Sequence, residues 1–461
     1  MIEEIRLFIR SEAERFGAKY STDIDKVYVE RNNTGPQSLN DDGAYFGFIH
    51  PEEENTGPFH DFSLTIFPSA KSKPWLVCLG IGSSGFKNDY ELASFPGIKR
   101  LFSKLINDDG YCKSNFADIE SNLPSSFTNK DEIQHIKRTI KQYSKFLPVV
   151  QILSAPNSLE GKKVISSFVA AYAKIRGWAS NKSHRDAITE ALKPFLGESS
   201  KDNEGEVLAL IKERKYVVLQ GPPGTGKTRL AKRLGDALNA QVFFTQFHAE
   251  TSYTDFIYGI KPNLKGSELS YVDSPGVLVN AINYALLHDT ENVLLVIDEI
   301  NRANLSNVLG QLFYLFEYNQ EVNTVKISLS PNCTISNMPK NLFVIATMNT
   351  ADRSLAVVDF ALRRRFAWYD LKPITINSED FFDQDFMAFK EIFDWYANSD
   401  ELSLQPGQGY FIAPDEIAMK NRITYELYPL VQEYLKEGLL LSGKEEFNRY
   451  FLQRINKPLF Q

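Results

Sequence analysis

Cysteine is scarce in this 461-residue chain, which holds only Cys78, Cys112 and Cys333. They lie far apart and form no C-x-x-C pair, so a disulfide framework and a cysteine-rich zinc site are both excluded. Each is expected to pack as a small apolar side chain. Long hydrophobic runs are missing too. The longest, such as Val293–Ile297, are strand-sized, far short of the roughly 20 residues that cross a membrane. The start, Met1-Ile-Glu-Glu-Ile-Arg6, lacks the basic lead and apolar core of a secretory signal. A cytoplasmic protein without membrane contact is expected. Positive charge is not in excess either. The chain has 51 basic and 58 acidic residues, a formal net charge of -7, which taken whole speaks against a protein that coats nucleic acid. No internal repeat or low-complexity tract is visible.

What is present is an ordinary globular composition, 43% hydrophobic and 24% charged, in a chain long enough for about two to four domains. The charge is unevenly spread. Residues 1–200 hold 25 basic and 25 acidic side chains, so the whole acidic excess lies in the remaining 261 residues. Two differently tasked halves are implied. In the first, Ile2, Ile5, Phe8, Ile9 and Phe16 are spaced for one helix face. Residues 28–60 read as loops and short strands, and Phe62–Phe67 and Trp75–Leu79 as strands. Residues 130–193 are helical and basic, with Lys137, Arg138, Lys141, Lys162 and Lys163 among twelve Lys and Arg. Gly197–Gly205 is polar and glycine-flanked, the best linker candidate. Beyond it, strand signals at Val217–Leu219, Val242–Thr245, Val293–Ile297 and Phe343–Ala346 alternate with helical stretches. That predicts an α/β region with a mainly parallel sheet, followed by mostly helical sequence from about residue 372. The expected division is an α+β front domain over 1–195, a linker over 196–206, a nucleotide-binding subdomain over 207–371 and a C-terminal helical lid over 372–461.

The chemistry is concentrated in that second half. Gly221-Pro222-Pro223-Gly224-Thr225-Gly226-Lys227-Thr228 fits G-x-x-x-x-G-K-[ST], after an apolar run and before a helical one, Arg229–Ala240. Glycines there let successive N–H groups face phosphate oxygens, and the helix start adds partial positive charge. Lys227 reaches the β- and γ-phosphates, and Thr228 offers its hydroxyl to Mg²⁺. Seventy residues past Thr228, a buried strand delivers Asp298 and Glu299. Asp298 suits the Mg²⁺, and Glu299 suits polarising the attacking water. A third strand ends at Asn349, which either orients that water or binds the γ-phosphate, or is an ordinary turn-forming residue. Arg363-Arg-Arg365 closes a predicted helix. Three arginines there form a solvated patch or supply a finger that neutralises transition-state charge in a neighbouring subunit.

Together these segments resemble the AAA+ domain of the McrB family. Gly221–Thr228, Gln246-Phe-His248 with Tyr253-Thr-Asp-Phe256, and Ile297–Leu305 carry the resemblance, and Met348-Asn-Thr-Ala-Asp-Arg-Ser-Leu-Ala-Val-Val-Asp-Phe-Ala-Leu-Arg-Arg-Arg-Phe366 is similar to the family signature almost letter for letter. It covers about residues 205–371. Further on, Gln408-Gly-Tyr-Phe411 is similar to the family's lid segment but departs from its usual Gly-His-Ser-Tyr-Phe. The resemblance implies a P-loop NTPase with a parallel sheet and a helical lid, assembling as a homo-oligomeric, hexameric ring. It implies GTP as the nucleotide, with ATP as the alternative, and Mg²⁺. It also implies a separate McrC-like nuclease partner and translocation along DNA carrying modified cytosine. Carried over by position, Asn349, Asp352 and Arg353 belong to the signature loop, with Asn349 as sensor, and Arg364 and Arg365 are the finger candidates. The front half is more loosely similar to an N-terminal domain found on some McrB-like proteins, which implies DNA recognition.

Other signals are weaker. Gly80-Ile-Gly-Ser-Ser-Gly85 matches a dinucleotide fingerprint, but no acid-ended strand follows at the right spacing, so a tight glycine turn is expected. His248-Ala-Glu250 lacks the P-C-x-x-C of a deaminase and reads as a loop. Glu160-Gly-Lys162 has nuclease-like spacing without an upstream partner and reads as a turn. Tyr143, Phe146, Phe168, Tyr172 and Trp178 lie among the basic residues, and core packing is the expected use. Rival functions are a MoxR-like protein-remodelling ATPase and a defence ATPase unconnected to restriction.

Overall fold

The computed structural model describes residues 1–19, 28–54, 57–69, 73–196, 203–263, 270–316, 326–351 and 360–460. The chain divides into two compact units. One is Met1–Ser199 with Asp394–Asn398, the other Ser200–Phe393 with Ser399–Gln461. Helices run up to Leu196 and restart at Asn203. The middle of the expected linker, 197–202, lies outside the described residues.

The first unit is built on a six-stranded antiparallel sheet. Its strands are β1 (Val29–Asn33), β2 (Tyr45–Ile49), β3 (Phe62–Phe67), β4 (Trp75–Ile81), β5 (Gly110–Cys112) and β6 (Val149–Leu153), in the order β1-β2-β3-β4-β6-β5. Side chains alternate across a strand, and here both faces are covered. Along β4, Trp75, Val77, Leu79 and Ile81 enter one core, while Leu76 and Cys78 enter another. The first core takes Ile5, Ile9 and Ala13 from the helix Ile2–Arg15, and Ile165, Phe168, Val169 and Tyr172 from the helix Leu159–Ile175. The second takes Phe127, Ile133, Ile136 and Ile140 from short helices on the opposite face. Phe168, Tyr172 and Trp178 are fully buried, whereas Tyr143 and Phe146 pack only partly buried at the edges. Cys78 and Cys333 are buried and Cys112 is half-buried.

Two local readings meet different outcomes in this unit. After β4, Gly82 and Gly85 form a tight turn against residues 59–61. A Cβ at Gly82 would stand 1.9 Å from the Phe59 carbonyl oxygen, so only glycine fits. Glu160–Lys162, expected as a turn, is instead the first turn of the helix Leu159–Ile175. The Ser158 hydroxyl caps that helix by accepting from Gly161 N at 3.0 Å. A buried charged pair ties the sheet to the end of the same helix. Arg176 donates to both oxygens of Asp89, at 3.0 and 2.7 Å, and Asp89 accepts Phe62 N at 2.8 Å.

The second unit contains β7 (Tyr216–Gly221), β8 (Ala240–Gln246), β9 (Tyr258–Asn263), β10 (Ser270–Pro275), β11 (Asn292–Asp298), β12 (Ile327–Ser330), β13 (Cys333–Ile335), β14 (Leu342–Asn349) and β15 (Ala367–Asp370). Five of them make a parallel sheet in the order β15-β7-β14-β11-β8, and β9–β10 and β12–β13 are separate antiparallel ribbons. Strands β7, β11 and β14 are buried on both faces, the reason they read as unbroken apolar runs. Their alternate residues feed two cores. Val218, Leu295 and Val344 belong to one, and Leu219, Leu294 and Ile345 to the other. The register pairs Asn349 with Gly221 and Ile297 with Ala346, so the carboxyl ends of the three central strands lie level.

Past the sheet come the helices Asp383–Tyr396, Glu416–Arg422, Tyr428–Lys436 and Lys444–Ile455. Phe386, Phe389, Phe411, Tyr450 and Phe451 meet edge to face in their core. Among the described residues, no helix is long and apolar enough to cross a membrane.

Candidate phosphate and metal site

In parallel α/β sheets, ligands gather at the carboxyl ends of the strands. Here β7 ends in the loop 221–228. Gly224 and Gly226 take positive φ, 80° and 83°, which glycine adopts without strain. Gly226 turns the chain into the helix Lys227–Ala237, which starts two residues before the expected Arg229. The Thr225 hydroxyl bonds back to the Pro222 carbonyl at 2.9 Å. Lys227 is buried, and its Nζ donates to the carbonyls of Gly221 and Pro222 at 2.9 and 2.8 Å.

A chain of hydrogen bonds links the loop to the neighbouring strand ends. The Thr228 hydroxyl donates to Asp298 Oδ1 at 2.7 Å. The same oxygen accepts the Thr347 hydroxyl at 2.7 Å, and that hydroxyl accepts Glu299 N at 3.1 Å. Asn349 Nδ2 then donates to Glu299 Oε1 at 2.5 Å. Arg302 lies 3.4 Å from the other carboxylate oxygen. Burial pushes the Glu299 carboxyl up and Asp298 adds to the rise, while Arg302 and Lys227 oppose it. Glu299 itself sits in the left-handed region, φ 55° and ψ 51°, so the chain reverses immediately after Asp298. The geometry thus brings together Lys227, Thr228, Asp298, Glu299 and Asn349. Thr228 Oγ1 and Asp298 Oδ1 are adjacent hard oxygen donors, the kind Mg²⁺ takes while keeping waters and phosphate oxygens as its other ligands.

Residues 216–366 match the AAA domain of the dynein-related subfamily. Over 175 residues the chain is 39% identical to the type IV methyl-directed restriction enzyme EcoKMcrB subunit of Escherichia coli K12, a match covering 36% of this chain and 37% of that one. These residues form an AAA domain, in a chain similar in sequence to that McrB subunit. A second relative is the YdiS component of the type II restriction enzyme BsuMI of Bacillus subtilis, 28% identical over 191 residues, 33% of this chain and 55% of that one. The chain therefore spans less than two thirds of either relative. Among solved structures, the Thermotoga maritima RuvB Holliday junction branch migration motor aligns over 42% of this chain and 50% of its own, at 22% identity and a TM-score of 0.23.

The matched domain has the α/β AAA+ fold, with residues 350–366 following β14 in sequence. Asp352 and Arg353 of that segment lie outside the described residues. Arg364 and Arg365 end the helix Phe360–Arg365. Arg364 is exposed, with no hydrogen bond or ion pair among the described residues, and Arg365 is half-buried. Two participants escaped the sequence reading. Thr347 is a lone hydroxyl near the end of an apolar strand, the one signal that could have marked it. Arg302 follows Glu299 by three residues within the matched motif. The lid segment Gln408–Phe411 also reaches the phosphate loop: Gln408 Nε2 donates to the Thr225 carbonyl at 2.9 Å.

Proposed function

We propose that this chain is the nucleotide-driven motor subunit of a modification-dependent restriction or anti-phage complex. The observation that carries the reading is the bonded row Thr228–Asp298–Thr347–Glu299–Asn349 beside a phosphate loop at the carboxyl edge of the sheet. In this reading Gly221–Thr228 cradles the phosphates, and Lys227 exchanges its two carbonyl partners for phosphate oxygens. Thr228 and Asp298 hold Mg²⁺, which offsets phosphate charge when bound. Glu299 orients the attacking water and takes its proton, with Asn349 fixing the carboxylate. A raised Glu299 pKa suits a base that must accept a proton. Asp352 and Arg353 join the same site by their place in the signature. In a homo-hexameric ring, Arg364 or Arg365 completes the neighbour's site.

GTP is the favoured nucleotide and ATP the alternative. The relatives' printed names, a methyl-directed restriction enzyme subunit and a restriction enzyme component, support a restriction complex. In this reading a McrC-like nuclease cuts DNA bearing modified cytosine. DNA contact through the first unit is supported by Lys137, Arg138 and Lys141, exposed along one short helix. Beside them opens a polar cleft of about 170 Å³ lined by Asn33, Gln37, Ser38, Arg138 and Gln142. The test is turnover of GTP and of ATP with Mg²⁺ by the assembled chain. Faster GTP turnover supports the reading, equal or ATP-favoured turnover replaces GTP, and no turnover of either overturns the motor. Binding to methylated and unmethylated duplexes tests the first unit, and binding to neither removes DNA recognition.

A further inference from the structure

The phosphate loop is held from outside by the lid. The Pro223 carbonyl accepts Gly407 N at 2.9 Å, and the Gly224 carbonyl accepts Gly409 N at 2.8 Å. The Thr225 carbonyl accepts Gln408 Nε2 at 2.9 Å. Three successive loop carbonyls are therefore taken by three successive lid residues. The fit is close. A Cβ on Gly407 would stand 2.2 Å from the Gly224 carbonyl carbon and 2.3 Å from Thr225 N. A Cβ on Gly224 would meet the Tyr410 ring at 2.7 Å. The lid strip is itself braced: Gln408 Oε1 accepts Ile374 N at 3.4 Å, and Arg422 Nη1 donates to the Gly409 carbonyl at 3.0 Å.

A peptide unit is a rigid plane, so a carbonyl and the N–H that follows it point in opposite directions. Holding the carbonyls of residues 223, 224 and 225 toward the lid turns the N–H groups of Gly224, Thr225 and Gly226 the other way. Those are the donors that a phosphate cradle needs. We propose that Gln408, with Gly407 and Gly409, is a positioning element that sets nucleotide affinity by fixing these three amides from the lid. This rests on reading residues 221–228 as a nucleotide-phosphate site. It has a mechanical corollary: rotation of the lid away from the loop frees three peptide planes at once, so lid opening and nucleotide release are one event.

The test uses the full chain, equilibrium binding of fluorescent GTP and ATP analogues, and steady-state turnover. One hydrogen bond is worth about 1 kcal/mol, a factor of about five. Gln408→Ala is therefore expected to weaken binding about five-fold, the loss falling on Kd and KM rather than on kcat. Gln408→Glu keeps the length but sets an acceptor against a carbonyl, and is expected to bind more weakly than the alanine variant. Gly407→Ala pries all three contacts apart, with an expected loss of about 100-fold. Melting of the nucleotide-free Gln408→Ala variant should fall only slightly, because the hydrogen bonds it loses are part-buried. Unchanged Kd in both Gln408→Ala and Gly407→Ala overturns the proposal, as does a fall in kcat with Kd intact. Failure of the parent chain to bind either nucleotide is a different outcome, which removes the phosphate-site reading beneath it.

Discussion

Replacing Thr347 with valine probes the centre of the site without changing its shape. Thr347 is 1% exposed, and its hydroxyl both donates to Asp298 Oδ1 and accepts Glu299 N. Valine removes a hydrogen bond to a carboxylate, worth about 1.5–3 kcal/mol, and leaves the Glu299 N–H without its acceptor, at about 1–3 kcal/mol. A loss of about 3 kcal/mol is expected, large against the 5–15 kcal/mol typical of whole domains. Thr347→Ser keeps the hydroxyl and sheds one methyl, at about 1 kcal/mol. Function should separate the two variants more sharply. Thr347 orients a proposed Mg²⁺ ligand, and loss of such an outer partner typically weakens metal affinity about 10–100-fold. Urea unfolding measures the stability term, and turnover against Mg²⁺ concentration measures the other. A valine variant with the parent's Mg²⁺ dependence and unfolding midpoint would refute the placement of Thr347 in the site.

Other substitutions test neighbouring parts. Glu299→Gln is expected to keep nucleotide binding and lose about 10²–10⁴ in turnover, and retained turnover would contradict its role as base. Because burial raises the Glu299 pKa, its ionised form is disfavoured in the folded chain. Stability is therefore lost as pH rises from 4.5 through the folded pKa, so the neutral glutamine variant should melt higher at pH 7. The acid limb of kcat should lie above pH 4.5 and move further up in Arg302→Ala, which removes an opposing charge; a limb unmoved by that change argues against the pairing. In the first unit, Asp89→Ala strands a buried guanidinium and is expected to cost about 3–5 kcal/mol, read by denaturant unfolding.

The central strands of the parallel sheet were legible because burial on both faces writes them as apolar runs, and the loop 221–228 because its glycines have a fixed spacing. Strand β15 was not: Ala367–Asp370 is four residues long and only partly buried, so neither period nor apolarity marks it. The ribbon β9–β10 is hidden by exposed side chains and by Gly259 and Pro262 within it. The helix after the phosphate loop was expected to run to Ala240 but ends at Ala237, because Asn239 takes a left-handed φ of 49° where the chain turns into β8. The alignment of Asp298, Thr347 and Asn349 follows from strand register, which motif spacing does not encode. The bond from Gln408 to Thr225 joins residues 183 positions apart, and nothing local in either segment announces the other.

The left-handed backbone at Glu299 sets two demands against each other. A side chain there costs about 1–2 kcal/mol that glycine would not. Selection for thermal stability alone would accordingly push position 299 toward glycine and, in doing so, erase the carboxylate. The residue's persistence in any stabilised descendant of this chain is thus a gauge of whether nucleotide turnover was under selection. A melting curve that improves while position 299 drifts would record the loss of the proposed nucleotide turnover.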